Sequence, residues 1–183
     1  KPLADIHGQP LIAHVARRSS QSQANRVIVA TDDERIADVL KAHDCEVCMT
    51  SAEHQSGSDR LAEVVATLAI ADDEIVVNVQ GDEPDMPGAL IDQVVEALVA
   101  NPSASVATAA TGLDNPGQFI DPAVVKVVTD KKNFALYFSR AGIPFARSDA
   151  EGGPDRVPWR LARRHIGIYA YRVRYLHKFT AEP

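Results

Sequence analysis

Short apolar segments alternate with amphipathic segments along the first 110 residues of the chain. The run from Arg26 to Ala30 predicts a strand, and Thr31 with Glu34 three residues later predicts a capping box at the start of a helix. Further strands are predicted over residues 45–49, 74–79 and 105–109. One helix is predicted to start at Ser58 or Asp59, and another is predicted by the apolar spacing over residues 90–98. This alternation is typical of a parallel sheet with helices packed on it.

The second half of the chain contains more turn-forming residues and a less regular alternation of apolar segments. Residues 114–122 are rich in turn formers, and residues 142–160 contain several prolines and glycines, so we expect a long loop there. Strands are predicted over residues 124–128, 134–138 and 165–171, and a helix start over 174–179.

Length and charge exclude several classes of protein. A chain of 183 residues fits one domain, or one domain with a small lobe. Its net charge of −6 argues against a broad nucleic-acid surface, so an anionic ligand needs a metal ion or a few placed basic groups. No apolar run is long enough to span a bilayer and no secretion signal opens the chain, so we expect a cytoplasmic protein.

Two cysteines, Cys45 and Cys48, form a single C-E-V-C pattern. Strand-like alternation would point residues three apart to opposite faces, which disfavours convergence on one metal, and no second pair completes a tetrahedral site. We therefore expect two reduced, structural thiols.

The segment from Asn78 to Pro84 is the strongest local candidate for chemistry, because an apolar strand runs into an acidic turn. Ligands of open α/β sheets bind at this end of the strands. Gly81 permits a tight turn, and Asp82 would offer Mg²⁺ a hard oxygen ligand. The alternative is an ordinary turn in which Asp82 and Glu83 face water.

A second candidate is the loop from His54 to Arg60, with the sequence HQSGSDR. Its small residues would expose backbone groups to the edge of a base, and Arg60 would reach a phosphate. The loop matches neither the dinucleotide nor the P-loop fingerprint. The alternative is a simple capped helix start.

A third candidate lies between Arg163 and Tyr169, where strand alternation places His165, Gly167 and Tyr169 on one face. A sugar or carboxylate would fit between the two polar rings, whereas a structural histidine is the alternative. Arg140 adds a cation before the expected loop, or is simply solvated.

Taken together, these segments resemble one known family. The segments are KPL at residue 1, VATD at 29, HQSGSDR at 54, NVQGDEP at 78, YFSR at 137 with Ile143-Pro144, and RHIGIY at 164. In this order they resemble the 3-deoxy-manno-octulosonate cytidylyltransferases, also called CMP-Kdo synthetases. HQSGSDR combined with NVQGDEP is the most discriminating part.

The resemblance implies an α/β, Rossmann-like nucleotide-diphospho-sugar transferase fold with a mixed, mostly parallel central sheet flanked by helices. It implies one nucleotidyltransferase domain over residues 1–183, in which residues 110–175 form a sugar-binding and dimerisation lobe. The implied reaction joins CTP and Kdo to give CMP-Kdo and pyrophosphate for lipopolysaccharide synthesis. Mg²⁺ is the implied cofactor and a homodimer the implied assembly, without nucleic-acid or membrane partners.

The resemblance also assigns site residues. Asp82 would hold the metal and, with Lys1, act in catalysis, since Lys1 matches the lysine that ends the family's nucleotide-binding loop. The other assigned residues are Ser56, Gly57, Arg60 and Gln80 for the nucleotide and Arg140, Arg164, His165 and Tyr169 for Kdo.

Two family segments fall outside the sequence given. One is a first strand with a basic loop before Lys1, and the other is a later segment with a second metal-binding carboxylate. We expect the chain to be a fragment of its gene product, because an exposed edge of the central sheet would be costly. If the chain were the whole polypeptide, triphosphate binding and turnover would be impaired. A related sugar nucleotidyltransferase, or a non-catalytic nucleotide-binding module, remains the alternative.

Overall fold

The computed structural model describes residues 1–145 and 159–181. The chain forms two compact units: the first contains Lys1–Ala107 and Ile168–Pro183, and the second contains Thr108–Gly167. Most of the long loop expected over residues 142–160 lies outside the described residues.

Strands and helices alternate in the first unit, as predicted. Its first part contains β1 (Asp5–Ile6), β2 (Gln9–Pro10), α1 (Leu11–Ser19), β3 (Ile28–Thr31), α2 (Glu34–Lys41), β4 (Glu46–Met49), α3 (Gly57–Thr67), β5 (Ile75–Asn78) and α4 (Gly88–Ala100). The chain continues through β6 (Val106–Gly112), α5 (Pro116–Ile120), β7 (Lys126–Thr129), β8 (Ala135–Ser139), β9 (Arg163–Arg172) and α6 (Val173–Ala181).

Helix starts depend on side chains that the sequence pattern misassigned. Asp33 caps α2 by accepting a hydrogen bond from the N–H of Arg35, whereas the predicted cap, Thr31, is buried as the last residue of β3. Ser56 caps α3 in a full capping box with Asp59, so the predicted start at residue 58 or 59 was two or three residues late. An N-cap residue has an extended backbone conformation, and Ser56, at the end of the loop, has this conformation.

Two apolar clusters hold the first unit together. One packs Leu11, Ile12 and Val15 of α1 against Leu40 of α2, which is fully buried. The other joins Val65 of α3 to residues of β9 and α6. Burial of this kind stabilises a domain by about 1.5–3 kcal/mol for each large apolar side chain. Val29 of β3 packs against the first cluster, and Leu61 of α3 and Val76 of β5 pack against the second.

Strand β9 is where the structure departs from the predicted parallel arrangement. Strands β3 and β4 are parallel, with Val29 opposite Val47. Within the first unit, however, β5 runs antiparallel to β9, with Asn78 opposite Tyr169. In the second unit β7 is antiparallel to both β8 and β9. The antiparallel pairs of β7 with β8 and with β9 need no crossover helix, so the helix-rich pattern of the first 110 residues does not extend to the strands of the second unit.

The second unit has a small core and several exposed apolar side chains. Leu113, Phe119 and Ala162 form the core. On β8, Leu136 and Tyr137 are each more than 60% exposed. Within the described residues, no helix is long and apolar enough to cross a membrane.

Both cysteines are free thiols. Cys48 is buried in β4 and Cys45 precedes that strand, half-buried. Burial raises the pKa of each thiol, which favours the unreactive protonated form at neutral pH.

Candidate functional site

An ion pair lies at the turn that follows β5. The Lys1 ammonium donates a hydrogen bond to the Asp82 carboxylate, with 2.7 Å between Nζ and Oδ2. This bond lowers the pKa of Asp82 and raises the pKa of Lys1. Nearly half of the Asp82 side chain is exposed, so a ligand can reach the carboxylate. The structure therefore brings together the two predicted catalytic residues.

The exposed Asp82 carboxylate would be one protein ligand of a magnesium ion at this turn. Among the described residues, no group of three or more His, Cys, Asp or Glu side chains could hold a metal ion. Mg²⁺ is commonly held by one or two carboxylates, with water and substrate phosphates as its remaining ligands. A single reachable carboxylate such as Asp82 meets that requirement when a triphosphate is present.

The start of α3 faces the carboxyl end of β5. Ser56 uses its hydroxyl group to cap the helix, accepting from the N–H of Asp59 at 3.2 Å. Gly57 follows as the first helical residue. A Cβ atom at Gly57 would lie 3.3 Å from the amide nitrogen of Asn78 and 4.0 Å from that of Gln80. Glycine therefore keeps the space beside these two amides open.

A pocket of about 270 Å³ opens at this position in the first unit. Its lining consists of small, amide and aromatic residues: Gly57, Ser58, Asn78, Gln80, Tyr169, Tyr171 and Phe179. Amide side chains offer both donors and acceptors, and aromatic rings offer flat apolar faces. The lining thus has the groups that would bind a planar, polar ring such as a nucleobase.

Two tyrosines on β9 form the aromatic wall. The rings of Tyr169 and Tyr171 are stacked with 6.0 Å between their centroids, and the Tyr171 hydroxyl lies 3.3 Å from that of Ser58. Burial raises the pKa of Tyr169, so its hydroxyl stays protonated at neutral pH.

The sequence indicated part of this lining and missed the rest. The resemblance assigned Gly57 and Gln80 to the nucleotide and Tyr169 to Kdo, and the pocket contains all three. Asn78 and Tyr171 were not assigned, although each stands two positions from an assigned residue. Side chains two positions apart in an extended chain face the same way, so this two-residue repeat could have predicted that Asn78 and Tyr171 also line the pocket.

Arg60 is engaged within the fold. Its guanidinium pairs with Asp32 at 3.4 Å and donates to the hydroxyl of Thr50, and its side chain is 23% exposed. These contacts connect α3 to the segments that follow β3 and β4. The predicted phosphate contact of Arg60 therefore stays a prediction, because the observed partners are protein groups.

The second unit contains three of the residues predicted to bind the sugar acid. His165 is half-buried, with its Nε2 2.8 Å from the hydroxyl of Thr108 and its ring edge-on to Phe138. Burial lowers the pKa of His165, which favours a neutral ring at pH 7. Arg164 is its neighbour on β9 and therefore projects from the opposite face of the strand. The guanidinium of Arg140 donates to the carbonyl of Pro122 at 2.7 Å.

A cavity of about 330 Å³ lies elsewhere in the first unit, beside α1. Arg17, His43 and Glu46 are among its lining residues, and none of the predicted site residues lines it.

Comparison with known proteins decides the family. Residues 1–183 match a family model described as cytidylyltransferase. The 3-deoxy-manno-octulosonate cytidylyltransferase of Cellvibrio japonicus is 54% identical over 188 residues, covering all of this chain and 72% of that protein. The corresponding protein of Tolumonas auensis is 50% identical over 184 residues, covering all of this chain and 71% of that protein.

The chain belongs to the 3-deoxy-manno-octulosonate cytidylyltransferase family. It is thus a nucleotidyltransferase by family, as the sequence motifs predicted. The chain spans about 72% of the length of its Cellvibrio relative.

A solved structure supports the same assignment. CMP:2-keto-3-deoxy-manno-octonic acid synthetase, determined in complex with CTP, matches with a TM-score of 0.88 at 36% identity. The match covers all of this chain and 71% of that one. The predicted Rossmann-like nucleotidyltransferase fold of this cytidylyltransferase is therefore confirmed.

Proposed function

We propose that this cytidylyltransferase transfers the cytidylyl group of CTP to Kdo, giving CMP-Kdo and pyrophosphate. The product would serve lipopolysaccharide synthesis, and we expect the enzyme to act in the cytoplasm. The observation that carries the proposal is the pocket of amide and aromatic side chains in the first unit, with Asp82 two residues beyond Gln80. Family membership supplies the reaction class.

In this proposal the pocket holds the nucleotide. The amides of Asn78 and Gln80 provide the donors and acceptors that a cytosine edge requires, and the absence of a side chain at Gly57 leaves room for the ligand beside them. Tyr169 and Tyr171 provide the aromatic face. Ser56 contributes indirectly by fixing the start of α3.

The reaction requires alignment of the two substrates and neutralisation of the phosphate charge. The anomeric hydroxyl of Kdo would attack the α-phosphorus of CTP in line with the departing pyrophosphate, so the protein acts mainly by positioning and neutralising. Lys1 would place a positive charge next to the phosphates. Asp82 would hold Mg²⁺, which when bound neutralises phosphate charge and polarises the phosphoryl group.

The sugar acid would be bound by Arg140, Arg164 and His165 of the second unit. Tyr169, which the resemblance also assigned to Kdo, lines the pocket of the first unit, so this proposal gives its ring to the nucleotide. An arginine suits a carboxylate because its N–H groups match the two oxygens, and a neutral histidine suits a hydroxyl. His165 is held in the neutral form by burial, which supports that role.

A homodimer is also proposed. The support is the exposure of large apolar side chains on β8, namely Leu136 at 66% and Tyr137 at 63%. Exposed apolar surface of this kind is often covered by a partner.

The test is pyrophosphate release by the full-length protein supplied with CTP and Mg²⁺. Release that depends on Kdo supports the proposal. Equal release with a nonulosonic acid or a hexose 1-phosphate would contradict the assignment of Kdo as the acceptor of the cytidylyl group. CTP binding without any turnover would instead indicate a nucleotide-binding module.

A further inference from the structure

Lys126 carries a charge in the core of the second unit. It is the first residue of β7 and has no exposed surface. Its ammonium donates three hydrogen bonds, to the carbonyls of Asp121 at 2.9 Å, Val124 at 2.6 Å and Arg140 at 2.6 Å. All three N–H groups of the ammonium are therefore used.

Burying an ammonium group costs desolvation free energy, which the hydrogen bonds that the group makes must offset. Burial lowers the pKa of Lys126, and the nearby Asp121 carboxylate opposes that effect. An apolar residue in a well-packed core avoids the desolvation cost, and replacing buried ions by apolar residues is often neutral or stabilising. The ammonium instead satisfies three backbone oxygens that would otherwise have to find other donors.

The three carbonyls belong to two separate segments of the second unit. Asp121 and Val124 lie in the turn between α5 and β7, whereas Arg140 directly follows β8. The guanidinium of Arg140 also donates to the carbonyl of Pro122, in that same turn. Two links thus join residue 140 to the turn, one through its backbone and one through its side chain.

We propose that Lys126 is a positioning residue for the sugar-acid substrate, because it fixes the backbone from which the Arg140 guanidinium projects. This inference rests on the proposed function, in which Arg140 binds the Kdo carboxylate. A misplacement of the backbone at residue 140 would move the guanidinium away from bidentate geometry, which is sensitive to small displacements. Lys126 itself, being fully buried, does not touch the substrate.

The test compares Lys126→Met and Lys126→Gln with the wild-type full-length enzyme. Methionine keeps the length of the side chain without donors, whereas glutamine keeps two N–H donors. In Lys126→Met we expect KM for Kdo to rise by about tenfold or more and KM for CTP to change by less than about twofold. Lys126→Gln should show a smaller rise. The exposed Lys131→Met serves as the matched control.

Hydrogen exchange supplies a second measurement. In Lys126→Met, the backbone amides of residues 121, 123–125 and 140–142 should exchange faster, while those of β3 and β5 keep their wild-type rates. An equal loss of Kdo and CTP use, or unchanged KM for Kdo in a folded variant, would overturn the inference. If the methionine variant unfolds, the same comparison of KM values in Lys126→Gln decides.

Arg140→Ala separates this inference from the proposed function. If Arg140→Ala leaves KM for Kdo unchanged, the proposed role of Arg140 is wrong, whatever Lys126→Met does. If Arg140→Ala raises KM for Kdo and a folded Lys126→Met does not, Lys126 has no positioning role and the proposed function stands.

Discussion

Gly57→Ala should weaken nucleotide binding without lowering the stability of the fold. Gly57 is the first residue of α3, and alanine is favoured over glycine in a helix by up to about 1 kcal/mol, with less gained at the first position. The added Cβ would meet the amide nitrogen of Asn78 at 3.3 Å, a tight contact that the amide must relieve by moving. We therefore expect an unchanged or slightly raised melting temperature together with weaker CTP binding.

The size of the loss follows from the pocket. The volume of a methyl group is comparable with that of one water molecule in the liquid, about 30 Å³. The added methyl group would therefore take roughly a tenth of the pocket's volume of about 270 Å³. If the displaced Asn78 amide loses one hydrogen bond to the nucleotide, the cost is about 1–1.5 kcal/mol, or about tenfold in Kd.

Titration calorimetry with CTP and a thermal melt measure the two effects on the same sample. Gly112→Ala is the matched control, because a Cβ at Gly112 would meet nothing within 4 Å. A folded Gly57→Ala protein that binds CTP within twofold of wild type would show that the nucleotide does not approach this position.

The remaining predictions concern the metal, the sugar acid and the loop. Asp82→Asn should keep the wild-type melting temperature and lose Mg²⁺-dependent pyrophosphate release; turnover at the wild-type rate would exclude Asp82 as the metal ligand. His165→Ala should raise KM for Kdo more than it weakens CTP binding, and equal losses would mean that His165 is misassigned. Because burial lowers the pKa of His165 below its ordinary value of 6.5, the unfolded chain binds a proton first as pH falls. Stability should therefore decline from about pH 6.5 to the lowered pKa, and His165→Gln, followed by denaturant melts, should flatten that decline. Glu63 accepts from the N–H of Ser51 at 2.9 Å and pairs with His54, so Glu63→Gln should raise KM for CTP several-fold, and an unchanged value would exclude a loop-positioning role.

Local patterns predicted the elements well where each pattern had one physical cause. The apolar run before Thr31 and the helical spacing after Gly88 both correspond to observed elements, since one buried face determines each pattern. The caps were less predictable: Ser56, Ser58 and Asp59 all have suitable side chains, and the tertiary position of the loop decided among them.

Long-range contacts were the part that the sequence could not predict. Lysine in the Val-Val-Lys-Val-Val run is usually an exposed residue of a strand. Lys126 is nevertheless buried, because carbonyls of the preceding turn and the carbonyl of Arg140, 14 residues away, converge on its ammonium. The resemblance assigned both Lys1 and Asp82 to catalysis, but no local pattern indicates that their side chains lie 2.7 Å apart. The direction of β9 was likewise set by pairing with β5 and not by its own composition.

The pairing of β5 with β9 has a consequence for how the protein is made. β5 ends at Asn78, but its partner at Tyr169 leaves the ribosome about 90 residues later, which at 5–20 residues per second is roughly 5–20 s. During that interval the nascent polypeptide has an apolar strand without its ladder partner, the kind of edge that recruits other chains. We expect this window to be the period in which synthesis depends most on chaperones.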